Sequence, residues 1–582
     1  MYQRVGRWFA LVLALTLLIP GSVRAAAAPL LDIMQQELTR SMTHLSSIQP
    51  DPVYFLQYEV TEEKAWGLEA RDGGLLAPDS RFSRFLDVDL RLGSPELDNT
   101  HEIREGSWRD NSRPRRVIEF PIEADAGAIR AELWSETEYQ LQRARERYTK
   151  VLSNRQVKVA EDDLSPDFSA AAPHTFEETP TYTQIDTLAW RDIIQQTARY
   201  FSQFDFIYES EVSLQVTDRT IYLVNSDGSR EAHENHYLRL SLSVSGMAQD
   251  GMALFRPETF SAATPAHLPD AATVQATAER LVGELKALIN APLVEPYIGP
   301  AILRNRASGV FFHEIFGHRV EAHRQKSVSE GQTFTKKVGE EILPAFISIF
   351  DDPTIATFKG TDLRGYYRFD DQGMPGERVT VVEKGVLRNF LCSRSPIANF
   401  PASNGHGRRE SGFQVVSRMG NLLVESAKTV PYTRLREMLV EECRKQKKPY
   451  GLIFDDISGG FTQTGREGPQ AFKVLPLLVT RVYADGRPDE VVRGVDIVGT
   501  PLTSFSKILV TGDDDGVFNG TCGAESGWVP VSAISPSILV SEIEVEKRQK
   551  EQEKPPILPP PGRKTLRAPG NVDDPEPRSA QN

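Results

Sequence analysis

The sequence predicts an α+β protein of two domains, and three observations carry that expectation. The chain has 582 residues, 40% hydrophobic and 25% charged, enough to bury more than one core. Its first half alternates helix-period segments with strand-like runs, whereas its second half becomes Gly-rich with short strand-like runs. That change predicts an N-terminal domain of mixed α and β structure and a mostly β C-terminal domain. Pro292 closes the last long helical pattern of the first half, so the domains are expected over 26–292 and 293–545.

The elements follow in order. Leu30 to Ser47 has amphipathic helical spacing, Pro52 to Val60 is strand-like, and Ala128 to Leu152 is charged and helix-prone. Ala160 to Pro180, rich in proline, acidic and small residues, reads as a surface loop. Thr220 to Val224 and Tyr237 to Val244 flank the turn Asn225-Ser226-Asp227-Gly228, which predicts strands joined around a hairpin. Ala271 to Ala291 places Val274, Leu281, Leu285 and Leu288 on one helical face.

The two ends read differently. Arg4 and Arg7 precede the apolar run Trp8 to Ile19 and the small-residue site Val23-Arg24-Ala25-Ala26, the pattern of a secretory signal peptide over 1–25. The apolar run is short of the ~20 residues that span a bilayer. The chain is therefore expected to be exported, periplasmic or secreted, with no membrane span after signal removal. From Glu546 a charged run leads into Pro-rich sequence, so 546–582 is expected to be a disordered tail.

Charge and cysteine usage narrow the function. The formal charge is −13, and losing Arg4, Arg7 and Arg24 with the signal makes it −16, a surface that repels phosphate backbones and argues against nucleic acid. Three cysteines, at 392, 443 and 522, are too few for a disulfide framework and odd in number. At least one thiol stays unpaired in a compartment that oxidises thiols.

The segment carrying most chemistry is His313-Glu314-Ile315-Phe316-Gly317-His318, two imidazoles and a carboxylate within six residues. Zinc favours imidazole and thiolate ligands, and a catalytic site keeps one position open for water, whose proton it makes easier to lose. Glu314 is then the candidate general base, returning the proton to a leaving amine. The histidines are spaced i, i+5, about 140° apart on a regular α-helix, so a regular helix would aim the rings apart. A π-bulge at Gly317 is expected to restore a shared face. Cys522 is either a ligand or a buried inert thiol, and the residue alone leaves both open. His233-Glu234-Asn235-His236, in the hairpin region, is read as a solvated polar stretch rather than a site. Phosphate-loop, nucleophile-elbow and paired Cys-x-x-Cys motifs are missing.

The run Gly309 to His318, with Glu321 three residues on, resembles the His-Glu-x-x-x-His segment of TldD/PmbA metallopeptidases. The similarity continues through Phe369-Asp370-Asp371-Gln372-Gly373-Met374-Pro375, Glu383 to Leu387, Gly405-His406-Gly407-Arg408-Arg409, Ser417-Arg418-Met419-Gly420-Asn421, Arg493-Gly494 and Gly520-Thr521-Cys522-Gly523. The resemblance is closest over 293–545 and compatible over 30–292. It implies zinc held by His313, His318 and Cys522, with Glu314 catalytic, and a peptide lying extended against strand edges. It also implies a dimer, with itself or with a related subunit. Glu321 is a candidate to orient His318 from behind, or else a solvated carboxylate. Arg408, Arg409 and Arg418 are candidates for contacting a peptide carbonyl or carboxylate, or else for structural salt bridges. The sequence departs from the family in Ala322-His323, where relatives have Gly-Asp, and in His406. Each of His323 and His406 is a group behind the ligands, an alternative ligand or a surface residue, the last being the leading reading for His323.

The expected function is thus a zinc-dependent peptidase acting on linear or unfolded peptides. The alternatives are a non-catalytic peptide-binding or assembly subunit of the same fold, and a metal-dependent hydrolase of non-peptide amides.

Overall fold

The computed structural model describes residues 27–103, 116–157, 163–466 and 471–548. The signal-peptide expectation lies outside these residues, as does the tail beyond Arg548. Among them, no helix is long and apolar enough to cross a membrane.

The N-terminal part is one twisted antiparallel sheet with helices against it. Helix α1 (Ala27–Leu45) leads into β1 (Val53–Arg71) and β2 (Asp79–Ser94), followed by the long α2 (Ala126–Val157) and α3 (Thr187–Phe201). Then come β3 (Glu209–Asn225), β4 (Arg230–Met247), β5 (Ala253–Ala262) and α4 (Ala271–Asn290). The main strands lie in the order β2-β1-β3-β4-β5, which leaves β5 at an edge. The predicted turn joins β3 to β4, with Gly228 at φ +104 and Val224 paired to Arg230. The strands run much further than the sequence suggested. Their polar residues, such as Glu59, Glu231 and His233, are buried by the other half of the molecule, so the alternating pattern is broken without ending the strand. Asp186 caps α3, a helix the sequence reading did not single out, by accepting from the Leu188 and Ala189 amides.

The C-terminal part is the mostly β half. Strand β6 (Tyr297–Leu303) is followed by α5 (Asn305–Ile315), β7 (Ile347–Asp351), β8 (Val379–Glu383), β9 (Asn421–Ser426) and α6 (Tyr432–Lys445). After these come β10 (Tyr450–Thr462), β11 (Phe472–Tyr483), β12 (Val495–Gly499), β13 (Ile508–Gly512), β14 (Gly516–Ala524), β15 (Gly527–Ser535) and β16 (Ile538–Lys547). Strand β6 pairs with both β10 and β16, and these connect through β11 and β12, so five strands close into a ring. A second sheet runs β8-β7-β9-β15-β14 and ends on β14. Helix α5 is wedged between ring and sheet, and every residue from Ala307 to Ile315 is buried. Strand β16 continues two residues into the stretch expected to be disordered, because Glu546 and Lys547 pair with Asp496 and Val495.

The two halves meet over a buried polar junction. Gln57 donates to the Asp371 carbonyl (3.0 Å), and Arg409 lies 3.1 Å from the Glu59 carboxylate. The ring of His233, expected to be solvated, is instead buried against Phe369, with centroids 5.5 Å apart, because the 369–375 loop covers that face of β4. Burial, with Asp370 and Glu59 nearby, pushes the Glu231 carboxyl up to about 8, and neither of its oxygens has a hydrogen-bond partner. Asp370 is raised to about 7 by burial, against the pull of the Met374, Gly407 and Gln372 amides. Both acids are protonated more readily in the folded than in the unfolded chain. Their contribution is therefore complete below the ordinary carboxylate range and is lost as pH rises towards 7 and 8. Melting temperature should fall from pH 5 to pH 8.5, each group adding at most ~1.4 kcal/mol per pH unit, and Glu231→Gln should flatten that slope. A slope unchanged in Glu231→Gln would remove Glu231 as its source.

Candidate metal centre

Helix α5 ends at Ile315, with Phe316 as its cap at φ −112, ψ −52, its amide still donating to the Phe312 carbonyl. A 3₁₀ turn, Gly317–Val320, then carries His318. The expected π-bulge is therefore replaced by a helix end and a tighter turn, and the two histidines sit on consecutive elements rather than on one bulged helix. Gly317 is required by packing: a Cβ there would lie 2.0 Å from the Met419 sulfur, and Met419 is buried. The freed carbonyls at the end of α5 are capped by Arg319, whose Nη1 donates to the carbonyl oxygens of Glu314 (3.0 Å) and Ile315 (3.1 Å) and to Thr462 Oγ1 (2.7 Å). Sequence reasoning missed Arg319, although a basic residue in the last helical turn is the signal for such a cap.

The third group comes from β14, 204 positions after His318. Cys522 Sγ lies 3.2 Å from His313 Nε2 and 3.3 Å from His318 Nε2. All three residues are buried, and their donor atoms lie within 4.8 Å of one another. In a tetrahedral site with bonds of ~2.0–2.3 Å, neighbouring ligand atoms stand ~3.5 Å apart, so two imidazoles and a thiolate at these separations fit one metal ion. The group is also the only such cluster of His, Cys, Asp and Glu among the described residues. Burial disfavours a Cys522 thiolate, yet His318 and His313 together hold it well below the ordinary thiol range. Burial likewise opposes charge on His318, but Cys522 and Glu321 raise it well above the usual imidazole value.

A second tier of contacts orients this group. Glu321, fully buried, lies 3.2 Å from His318 Nδ1, accepts from Arg324 Nε (2.9 Å) and faces Arg418 Nε at 3.3 Å. Burial raises its carboxyl, but His318, Arg324 and Arg418 outweigh that and hold it down to about 2. Arg418 also donates to the Cys522 carbonyl (2.7 Å) and to Ser526 Oγ (2.8 Å), tying β14 to the histidine turn. Arg408 donates to the Met419 and Pro530 carbonyls (both 2.7 Å), and Arg409 turns to the junction with Glu59. None of these three arginines is among the residues that line the cleft. His406 is buried between the Asn404 carbonyl (2.9 Å) and Asp351 (3.2 Å), and His323 is paired with Glu525.

His313, Glu314, His318 and Cys522 all open on one cleft of about 1120 Å³. Three strand segments wall it: 257–261 of β5, 456–462 of β10 and 517–524 of β14. Strands β5 and β14 are edge strands, and β10 beyond Phe454 is paired only on its β11 side. Glu314 is buried among the histidines, and burial raises its carboxyl against their pull. Gly460 of β10 packs on it so closely that a Cβ would lie 2.7 Å from Glu314 Cγ and 2.9 Å from the Lys473 carbonyl.

Comparison with known proteins places this half. Residues 297–547 match the PmbA/TldA metallopeptidase C-terminal domain. Over that stretch the chain is similar to the PmbA/TldD family. A metalloprotease of Archaeoglobus fulgidus is 29% identical over 267 residues, covering 46% of this chain and 57% of that protein. A zinc metalloprotease TldD homolog of Saccharolobus solfataricus is 25% identical over 46% of this chain and 55% of its own length. The chain thus spans little more than half of these relatives. The fold extends the likeness: TldE of Thermococcus kodakarensis superposes with a TM-score of 0.57 at 14% identity, covering 88% of this chain and 100% of that one.

Proposed function

We propose that the chain is a zinc-dependent peptidase acting on linear or unfolded peptides. The observation that carries this reading is a buried His-His-Cys donor group opening, beside a carboxylate, on a cleft walled by three unpaired strand edges. His313, His318 and Cys522 would hold the zinc, which when bound would supply Lewis acidity toward a carbonyl oxygen and toward water. Glu314 takes a proton from water and delivers it to the leaving amine; its raised proton affinity suits both steps. The strand edges offer main-chain donors and acceptors, which hold an extended peptide largely regardless of its side chains. Phe255, Phe461 and Trp528, exposed by 45%, 58% and 64% along the cleft, add apolar contacts. The proposed setting is outside the cytoplasm, with a second subunit, identical or TldE-like, as the partner.

Gly460 gives a test of positioning. Gly460→Ala leaves the ligands intact but forces Glu314 aside, since the Lys473 carbonyl on the other flank belongs to a paired strand. Peptide cleavage should fall at least ~10-fold with zinc content unchanged, because sub-ångström placement of a reacting group carries that much rate.

The experiment for the reading as a whole is metal analysis joined to a cleavage assay on an unstructured peptide library, run on the protein and on Glu314→Gln and Cys522→Ser. Near one zinc per chain with cleavage supports it. Zinc without cleavage favours a peptide-holding subunit or a non-peptide amide, and neither zinc nor cleavage overturns it.

A further inference from the structure

The cleft is rich in charge, and nearly all of it is paired. Arg280 and Arg306 both reach Glu258 (2.6 and 2.9 Å), Arg324 reaches Glu525 (2.9 Å), and Asp456 reaches Arg256 (3.1 Å). Arg239 of β4 differs: it lines the cleft, but among the described residues no carboxylate lies within ion-pair distance, and its buried Nε has no hydrogen-bond partner.

Two neighbours share that condition. Tyr237 stands two residues earlier on the same face of β4, and its buried hydroxyl is also without a partner. The Arg364 guanidinium lies 4.1 Å over the Tyr237 ring, and its buried Nε is unpartnered. Two guanidiniums close enough to repel and a phenol hydroxyl, all donors lacking an acceptor, are an unusual concentration in a chain of net charge −13. Buried donors are ordinarily satisfied, so three orphans together point to an acceptor supplied from outside. Like-charged guanidiniums are reconciled by an anion that takes hydrogen bonds from both.

We propose that Arg239 and Arg364, with Tyr237, form a carboxylate-binding subsite of the cleft that selects anionic peptides. The inference rests on the peptidase reading. The Arg364 amide donates to Asn519 Oδ1 (3.1 Å), and Asn519 stands three positions before Cys522 on β14. Three extended residues span ~10 Å, so a strand-like substrate meets the pair about three residues from the bond facing Cys522. The carboxylate is either the peptide's C-terminus or an Asp or Glu side chain.

Three peptides of one length distinguish these sources: a free acid with an internal Glu, its C-terminal amide, and its Glu→Gln version. Cleavage (kcat/KM) and binding (fluorescence anisotropy of the labelled peptides) are measured for the protein, Arg239→Gln and Arg364→Gln, with thermal melts to verify folding. The protein should prefer the peptide carrying the recognised carboxylate by ~10-fold or more, as expected for charge-assisted hydrogen bonds. Each variant should bring that ratio close to one, mainly through KM. Loss of preference on amidation assigns the C-terminus, and loss on Glu→Gln assigns the side chain. Equal handling of all three peptides, or a preference that survives both variants, overturns the subsite. If no peptide is cleaved, the peptidase reading fails while anisotropy still decides the subsite.

Discussion

Glu314→Gln is expected to lower peptide hydrolysis by ~10²–10⁴-fold, the range general-base catalysis contributes, while zinc content stays that of the unaltered protein. Glutamine keeps the shape of the side chain but takes up no proton at neutral pH. Among the described residues the Glu314 carboxylate has no hydrogen bond that holds β14 or the histidine turn; Arg319 takes hold of its backbone carbonyl, which glutamine keeps, and the other polar ties there belong to Glu321 and Arg418. Removing the carboxylate also removes a group that raises the proton affinity of His313, which if anything favours the neutral imidazole a metal requires. The effect should therefore appear in kcat, with peptide affinity preserved because the strand edges are untouched. Full activity in Glu314→Gln, with metal bound, would transfer the base role elsewhere and leave Glu314 as a packing residue against Gly460.

Cys522→Ser is expected to show the second large effect, loss of most metal at equilibrium. Replacing a group behind a ligand typically lowers metal affinity 10–100-fold, and replacing the thiolate itself should exceed that. A serine hydroxyl stays protonated at neutral pH and is a poor zinc donor, whereas the Cys522 thiol is already held towards thiolate by His318 and His313. Competition against a chelator of known affinity measures the change. Cobalt substitution adds a second readout, since thiolate ligation gives a charge-transfer absorption that Cys522→Ser should abolish. An unchanged affinity with that absorption retained would exclude Cys522 as a ligand and return it to the role of a buried inert thiol.

Much of this architecture was legible in the sequence because its signals are local. Helical spacing located α1 and α4, helix-prone composition located α2, and Asn225-Ser226-Asp227-Gly228 located the β3-β4 turn. The lengths of β1, β3 and β4 were not legible, since several of their buried polar residues face groups from the C-terminal half, such as Arg409 opposite Glu59. The break after Ile315 was foreseen as some departure from a regular helix, because an i, i+5 pair cannot share one face. Its form was not, because it depends on Met419 pressing on Gly317 from a strand end a hundred residues away.

By itself the sequence determined residue chemistry: two imidazoles and a carboxylate within six residues, an odd number of cysteines and an acidic net charge. Only the tertiary structure decided which of these meet. It brought Cys522 within 3.2 Å of His313, engaged Arg408 and Arg409 in contacts outside the cleft lining, and put Arg239 on the cleft wall, near enough to Arg364 for the two charges to repel. The reason is physical: side-chain chemistry and short-period patterns are carried by neighbouring residues. Ligand convergence, strand edges and unpaired buried charge arise from pairings hundreds of positions apart, for which one sequence contains no local signal.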